Sequence, residues 1–237
     1  MRNLIGLELK KIKNTFVNGL ALISILAPIL MIALVYAVSS DKTFLEVVIS
    51  NSVYIQMIPF AVTVIYGCFI VTREYKENMI VYLEITPQSQ TKIMLSKLIV
   101  TVFELCLTQV ITFVLLFIIN AVIDGFDFAL LMKYVKVALI SAAALSALVP
   151  LIVFISLVRR SFSSASIIFL MIFMFTFPFI FSENGYVFPH LLPMILVAKF
   201  FGNLRYDKIS FSFGALVLSL VAMLFLYLSI RKINKKY

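Results

Sequence analysis

The sequence contains no tryptophan, one histidine, two cysteines and few charges: 13% of its 237 residues are charged, against 63% hydrophobic. Each shortage excludes something. A water-soluble domain carries about 25% charged residues, so this chain lacks the polar side chains to cover a water-facing surface. A mean hydropathy of +1.11 places the apolar excess against lipid. Without tryptophan, tyrosine is left to supply any aromatic belt at the membrane interface. Cys68 and Cys106 lie inside apolar runs, where cysteine behaves as a small hydrophobe rather than half of a disulfide. No CxxC or HExxH cluster surrounds His190, which argues against a metal site. There is no GxxxxGK[ST] loop and no GxSxG elbow, so neither ATP binding by a P-loop nor an intramembrane hydrolase is supported.

What the sequence has is length of apolar run. Six stretches, 20–38, 53–71, 98–119, 137–158, 162–181 and 212–230, are each long enough to span a hydrocarbon core of roughly 30 Å. A spanning segment must satisfy its own backbone, so all six are predicted to be helices. The expected fold is all-α and integral to the membrane, a single transmembrane domain over 1–237 with no soluble domain. Pro28, Pro59, Pro150 and Pro178 fall inside these runs and are expected to kink them. Only Arg159, Arg160 and Ser161 divide the fourth run from the fifth, which calls for a tight turn.

Charge gives the orientation. Alternate connections carry 14 Lys and Arg on one side against 6 on the other, and net charges of +10 and 0. The positive-inside rule makes the basic side cytoplasmic, with both termini there. The net charge of +9 is then a topology signal and an attraction to anionic lipid, not a nucleic-acid footprint. Before the first run, Ile5, Leu9, Ile12 and Phe16 recur at helical spacing while Glu8, Lys10, Lys11, Lys13 and Asn14 fall off that stripe. Residues 1–17 therefore read as an amphipathic helix lying in the interface.

The longest connection on the basic side, 73–97, is dense in charge. Arg73, Glu74, Lys76 and Glu77 alternate in sign at helical spacing, and Met79, Ile80, Tyr82, Leu83 and Ile85 add an apolar surface before Pro87. A short amphipathic helix of this kind can dock into a groove on a soluble partner; a solvated loop is the plainer alternative. The segment fits the pattern R-E-[YF]-x-x-x-x-[MLI]-x-x-L-x-x-[ST]-P-x-S, from Arg73, Glu74 and Tyr75 through Leu83, Thr86, Pro87 and Ser89, with Lys97 opening the next run. In this, in the interfacial helix and in the six-span layout, nearly the whole chain resembles permease subunits of the type-2 ABC exporter family. Asn78 and Gln90 depart from residues common in that family, a glycine and an arginine.

The resemblance implies a mechanism. Segment 73–92 would be a coupling helix seated on a separate ATPase subunit, through Arg73, Glu74, Tyr75, Lys76, Glu77, Tyr82, Leu83 and Pro87. Arg159 and Arg160 would make a second, smaller contact. ATP and Mg would be bound by that partner, and no cofactor by this chain. A second copy or a homologous permease would complete the transporter in the plasma membrane. The small size resembles permeases for lantibiotic immunity, bacitracin resistance and phenol-soluble modulin export, which points to an amphipathic or antimicrobial peptide as cargo. The competing reading is an ATP-independent polytopic membrane protein, a channel or assembly factor.

Two further segments carry functional expectations. Glu104 is the one ionisable residue well inside a span, and Lys97, Thr101, Glu104, Thr108 and Thr112 fall on one arc of the third helix. Such a polar stripe should face other helices or a cavity rather than lipid. Its uses range from substrate path or dimer interface to plain helix packing. The segment 183–210 contains an apolar stretch too short to span, around 188–201, which suits a re-entrant or interfacial element on the outer side.

Overall fold

The structure is a computed structural model that describes residues 2–12, 15–39, 41–76, 89–182, 185–206 and 210–234. Helices dominate it: α1 (Arg2–Ile12), α2 (Val17–Val38), α3 (Phe44–Ser50), α4 (Ser52–Lys76), α5 (Gln90–Ile123), α6 (Phe128–Ser146), α7 (Val149–Arg159), α8 (Phe162–Thr176), α9 (Leu192–Phe200) and α10 (Phe211–Asn234), with short 3₁₀ turns between them. No strand occurs among the described residues. Among the described residues, six segments are long and apolar enough to cross a membrane: Asn18–Val38, Ser52–Tyr75, Gln90–Ile123, Phe128–Arg159, Phe162–Phe181 and Phe211–Ile233. These are the six runs of the sequence, the fifth with the same limits and the other five longer at one or both ends.

Local chemistry sets the boundaries. Thr43 and Glu46 close a capping box that starts α3. Ser89 caps α5 by accepting from the Lys92 amide at 3.4 Å, and Asp127 caps α6 by accepting from the Ala129 amide at 2.9 Å. The tight turn between α7 and α8 is made by Arg160, whose φ of 54° is left-handed. The four prolines act differently. α2 and α4 run through Pro28 and Pro59. Pro150 instead falls just inside the start of α7, where its missing N–H costs no helical bond, and the fourth span is divided there into α6 and α7. Pro178 lies in the 3₁₀ turn Phe177–Phe181 that ends the fifth span.

The central element is α4, with 72% of its apolar window buried against 17% for α10 at the periphery. Around α4 pack α2, α7, α8 and α9; α5 runs alongside α6, and α10 lies against α7. The segment before the last span enters the bundle. Leu191, Leu192 and Met194 through Ala198 are each no more than 1% exposed, and Pro193 is buried with them, enclosed by α4, α6 and α10. The Asn203 amide then donates to the Ile49 carbonyl at 3.2 Å, pinning the end of this segment to α3. A helix resting on a membrane surface would leave one face open; α9 does not.

Close approach between α4 and α7 depends on Gly67. A Cβ added there would stand 2.8 Å from Ile152 Cγ2, inside van der Waals contact. Gly67→Val is expected to cost about 1–3 kcal/mol through overpacking, and Ile152→Ala in the same chain should recover some of it. Unfolding midpoints in non-ionic detergent measure both, and an unchanged midpoint for Gly67→Val would remove this account of the contact.

Candidate functional site

Four charges from three helices meet at the basic end of the bundle. Lys97, in the second turn of α5, places its ammonium 2.8 Å from Glu74 Oε1 at the end of α4 and 3.5 Å from Glu8 Oε2 on α1. It also donates to the Ile70 carbonyl at 3.0 Å. Its three N–H groups thus find three acceptors. Lys11 completes the cluster at 2.8 Å from Glu8 and 3.1 Å from Glu74. The set is neutral, and Glu8, Glu74 and Lys97 are buried. Desolvation of four ions is costly, and it is offset only where every charge is paired and hydrogen-bonded, as here. Arg73 adds a bond from its guanidinium to the Lys11 carbonyl at 2.9 Å, one of the orphan carbonyls at the end of α1.

Burial pulls the Lys11 pKa down, but its hydrogen bonds and charges with Glu8 and Glu74 outweigh this and leave it raised. A raised lysine contributes stability that is present below its unfolded value of about 10.4 and lost as pH rises through the folded one. The Lys11 contribution is therefore present at neutral pH and lost in strong alkali.

This geometry revises the face of α1. Glu8 is on the packed side with Ile5 and Ile12, while Leu9 is exposed. The sequence stripe put Glu8 off that side, because a hydrophobic pattern counts a carboxylate as water-seeking and has no means of seeing the two lysines that neutralise it. Beside the cluster a cavity of about 80 Å³ is lined by Val71, Tyr75, Met94, Leu157, Arg160 and Lys232, among others. The Arg160 guanidinium lies over the Tyr75 ring at 5.8 Å.

The residues expected to meet an ATPase fall into three groups. Arg73, Glu74 and Tyr75 occupy the last turns of α4, where Glu74 is turned inward and Tyr75 packs against the core; Lys76 is the final residue of that helix. Arg159 and Arg160 are exposed on the turn between α7 and α8. Glu77, Tyr82, Leu83 and Pro87 lie outside the described residues.

The polar stripe of α5 faces inward. Thr101, Thr108 and Thr112 are buried, and their hydroxyls donate to the carbonyls of Lys97, Leu105 and Thr108 at 2.9, 2.9 and 2.8 Å. Glu104 is half-buried and lines a niche between α2, α4 and α5. Farther along α5, Gln109 Oε1 is 2.6 Å from Ser141 Oγ, which is also 3.0 Å from Gln56 Oε1. This buried link among α4, α5 and α6 was not signalled by any motif; only the rarity of amides in apolar runs hinted at it. His190 Nε2 lies 2.6 Å from Thr176 Oγ1. That hydroxyl already donates to Ile172 at 2.7 Å, so the imidazole donates to it. Burial against Phe60 and Phe188 keeps the His190 pKa low, near 4.

Lys97→Met strands one carboxylate of the cluster and should cost about 3–5 kcal/mol. Adding Glu74→Leu leaves Glu8 paired with Lys11, so the double variant should be more stable than Lys97→Met alone. Denaturant unfolding of the single and double variants checks this, and strictly additive losses would count against the coupling.

Comparison with curated proteins finds no match. A family profile described as ABC-2 family transporter protein matches residues 4–179, from α1 through the fifth span. The match includes all four members of the ionic cluster, the charged segment between α4 and α5, and Glu104. The chain belongs to the ABC-2 transporter family, as a membrane-spanning permease subunit.

Proposed function

We propose that this permease subunit is half of an ATP-driven exporter, with its basic face in the cytoplasm and a separate ABC ATPase docked on segment 73–92 and on the Arg159–Arg160 turn. The observation that carries this reading is the Glu74–Lys97 pair at 2.8 Å. Glu74 precedes segment 77–88 and Lys97 follows it, so one buried ion pair holds the two ends of that segment together. α1 is fastened to the same pair through Glu8 and Lys11. Helix ends held in this way move together, which is what transmission of force from an ATPase requires. ATP and Mg bind in the partner, and this chain supplies the docking surface.

A second copy, or a similar permease, completes the pathway. The exposed apolar faces of α2 and α10 offer surface for lipid and for such a neighbour. The cargo is an amphipathic or antimicrobial peptide, in keeping with the apolar segment before the last span, and export clears it from the plasma membrane or cytoplasm.

Gently solubilised tagged chain is expected to co-purify with a P-loop ATPase, and Tyr82→Ala with Leu83→Ala to lose that partner while the chain stays folded. Recovery of the wild-type chain without any ATPase would overturn the reading in favour of an ATP-independent membrane protein. Glu74→Ala with Tyr75→Ala should keep the ATPase bound but lower peptide exported per ATP hydrolysed several-fold, since the segment would still dock but no longer be anchored. Unchanged export by this variant would separate docking from coupling.

A further inference from the structure

The niche beside Glu104 lies within the membrane-spanning bundle, one turn along α5 from the ionic cluster, and nothing above gives it a ligand. It is lined by Ser24 of α2, Thr63 and Tyr66 of α4, and Thr101, Glu104 and Thr108 of α5, with Ala21, Val62 and Leu105. Its free volume is about 20 Å³, room for one guest the size of a water molecule.

The donors and acceptors around it are unbalanced. The Thr63 hydroxyl donates to the Pro59 carbonyl at 2.7 Å, Thr101 to Lys97 at 2.9 Å and Thr108 to Leu105 at 2.9 Å. Each of these three protons is engaged by backbone, and each oxygen keeps lone pairs free. Glu104 adds a carboxylate, and among the described residues no Lys, Arg or His lies within ion-pair distance of it. The Tyr66 side chain is 5% exposed and its hydroxyl has no hydrogen-bond partner, an omission that costs free energy in an apolar surround unless a guest supplies one. A neutral water would bring two protons but leave the carboxylate's charge uncompensated in the low dielectric. A guest with one positive charge answers both needs. With one carboxylate, and no group of three His, Cys, Asp or Glu among the described residues to hold a metal, the site lacks the charge to retain a divalent ion.

We propose that the Glu104 niche binds one small monovalent cationic group, an alkali cation or the primary ammonium of a transported molecule, between the Glu104 carboxylate and the oxygens of Tyr66, Thr63, Thr101 and Thr108. The site is independent of where the ATPase docks, so loss of the ATPase partner and loss of cation binding are separate results.

The test is the thermal unfolding midpoint of the full chain in non-ionic detergent, in the chlorides of sodium, potassium, methylammonium and N-methylglucamine at equal ionic strength. The last cation is too bulky for the niche and serves as the reference. A small cation at saturation should raise the wild-type midpoint by roughly 3 °C over that reference. The rise should vanish in Glu104→Gln and shrink in Tyr66→Phe. A rise with sodium or potassium alone identifies an inorganic ion; a rise with methylammonium alone identifies a substrate ammonium. Equal wild-type midpoints in all four salts, or a rise that survives Glu104→Gln, would overturn the proposal. If Glu104→Gln fails to fold, Glu104→Asp keeps the charge but withdraws it by one methylene, and it should lower the apparent affinity for the same cations; an undiminished affinity there would likewise overturn it.

Discussion

The Lys97 ammonium is the point on which the basic end of the bundle depends. It lies in the second turn of a 34-residue helix, at a depth where a lone charge would be expelled toward water, and it stays because α1 and α4 deliver carboxylates to it. The dependence runs both ways. Without Lys97, Glu74 and Glu8 have only Lys11 between them, and α1 loses its polar tie to α5. Apolar contact alone is a poor substitute, because lipid tails offer Ile5 and Ile12 the same environment that the bundle does. Charge pairing distinguishes one docking position from all others, which is why a membrane protein places its few polar groups at helix crossings.

The same economy applies deeper in the bundle. Gln56, Gln109 and Ser141 link α4, α5 and α6, and Tyr134 reaches Asn120 at 3.4 Å between α5 and α6. Between these polar links the helices are packed through aliphatic and aromatic side chains, with Gly67 and the small residues of α6 permitting close approach. Each polar link fixes the rotation of a helix whose apolar surface would otherwise tolerate several.

The count, order and approximate limits of the spans were legible in the sequence, because hydrocarbon thickness imposes a length that composition reveals directly. The inward face of Thr101, Thr108 and Thr112 was legible for a related reason: hydroxyls on one arc avoid lipid. The break at Pro150 was legible as a position but not as an outcome, since Pro28 and Pro59 have the same local chemistry and their helices continue. The inward turn of Glu74 and the packed side of α1 were not legible. Both follow from pairings across separate helices, Glu74 with Lys97 and the α1 residues Glu8 and Lys11 with partners more than sixty positions away, and hydrophobic periodicity treats every carboxylate as facing water. The depth of α9 was also hidden, because a short apolar stretch has the same composition on a membrane surface as inside a bundle.

The enclosure of α9 has a consequence for how this end of the bundle changes shape. Leu191 through Ala198 are in contact with protein on every side, so this segment has no free surface along which to slide. Any outward opening must either carry it as a passenger with α4 and α6 or break its contact with one of them completely. The segment is thus less a flap over the bundle than a wedge within it, and the width of any opening would be set by which seam yields first.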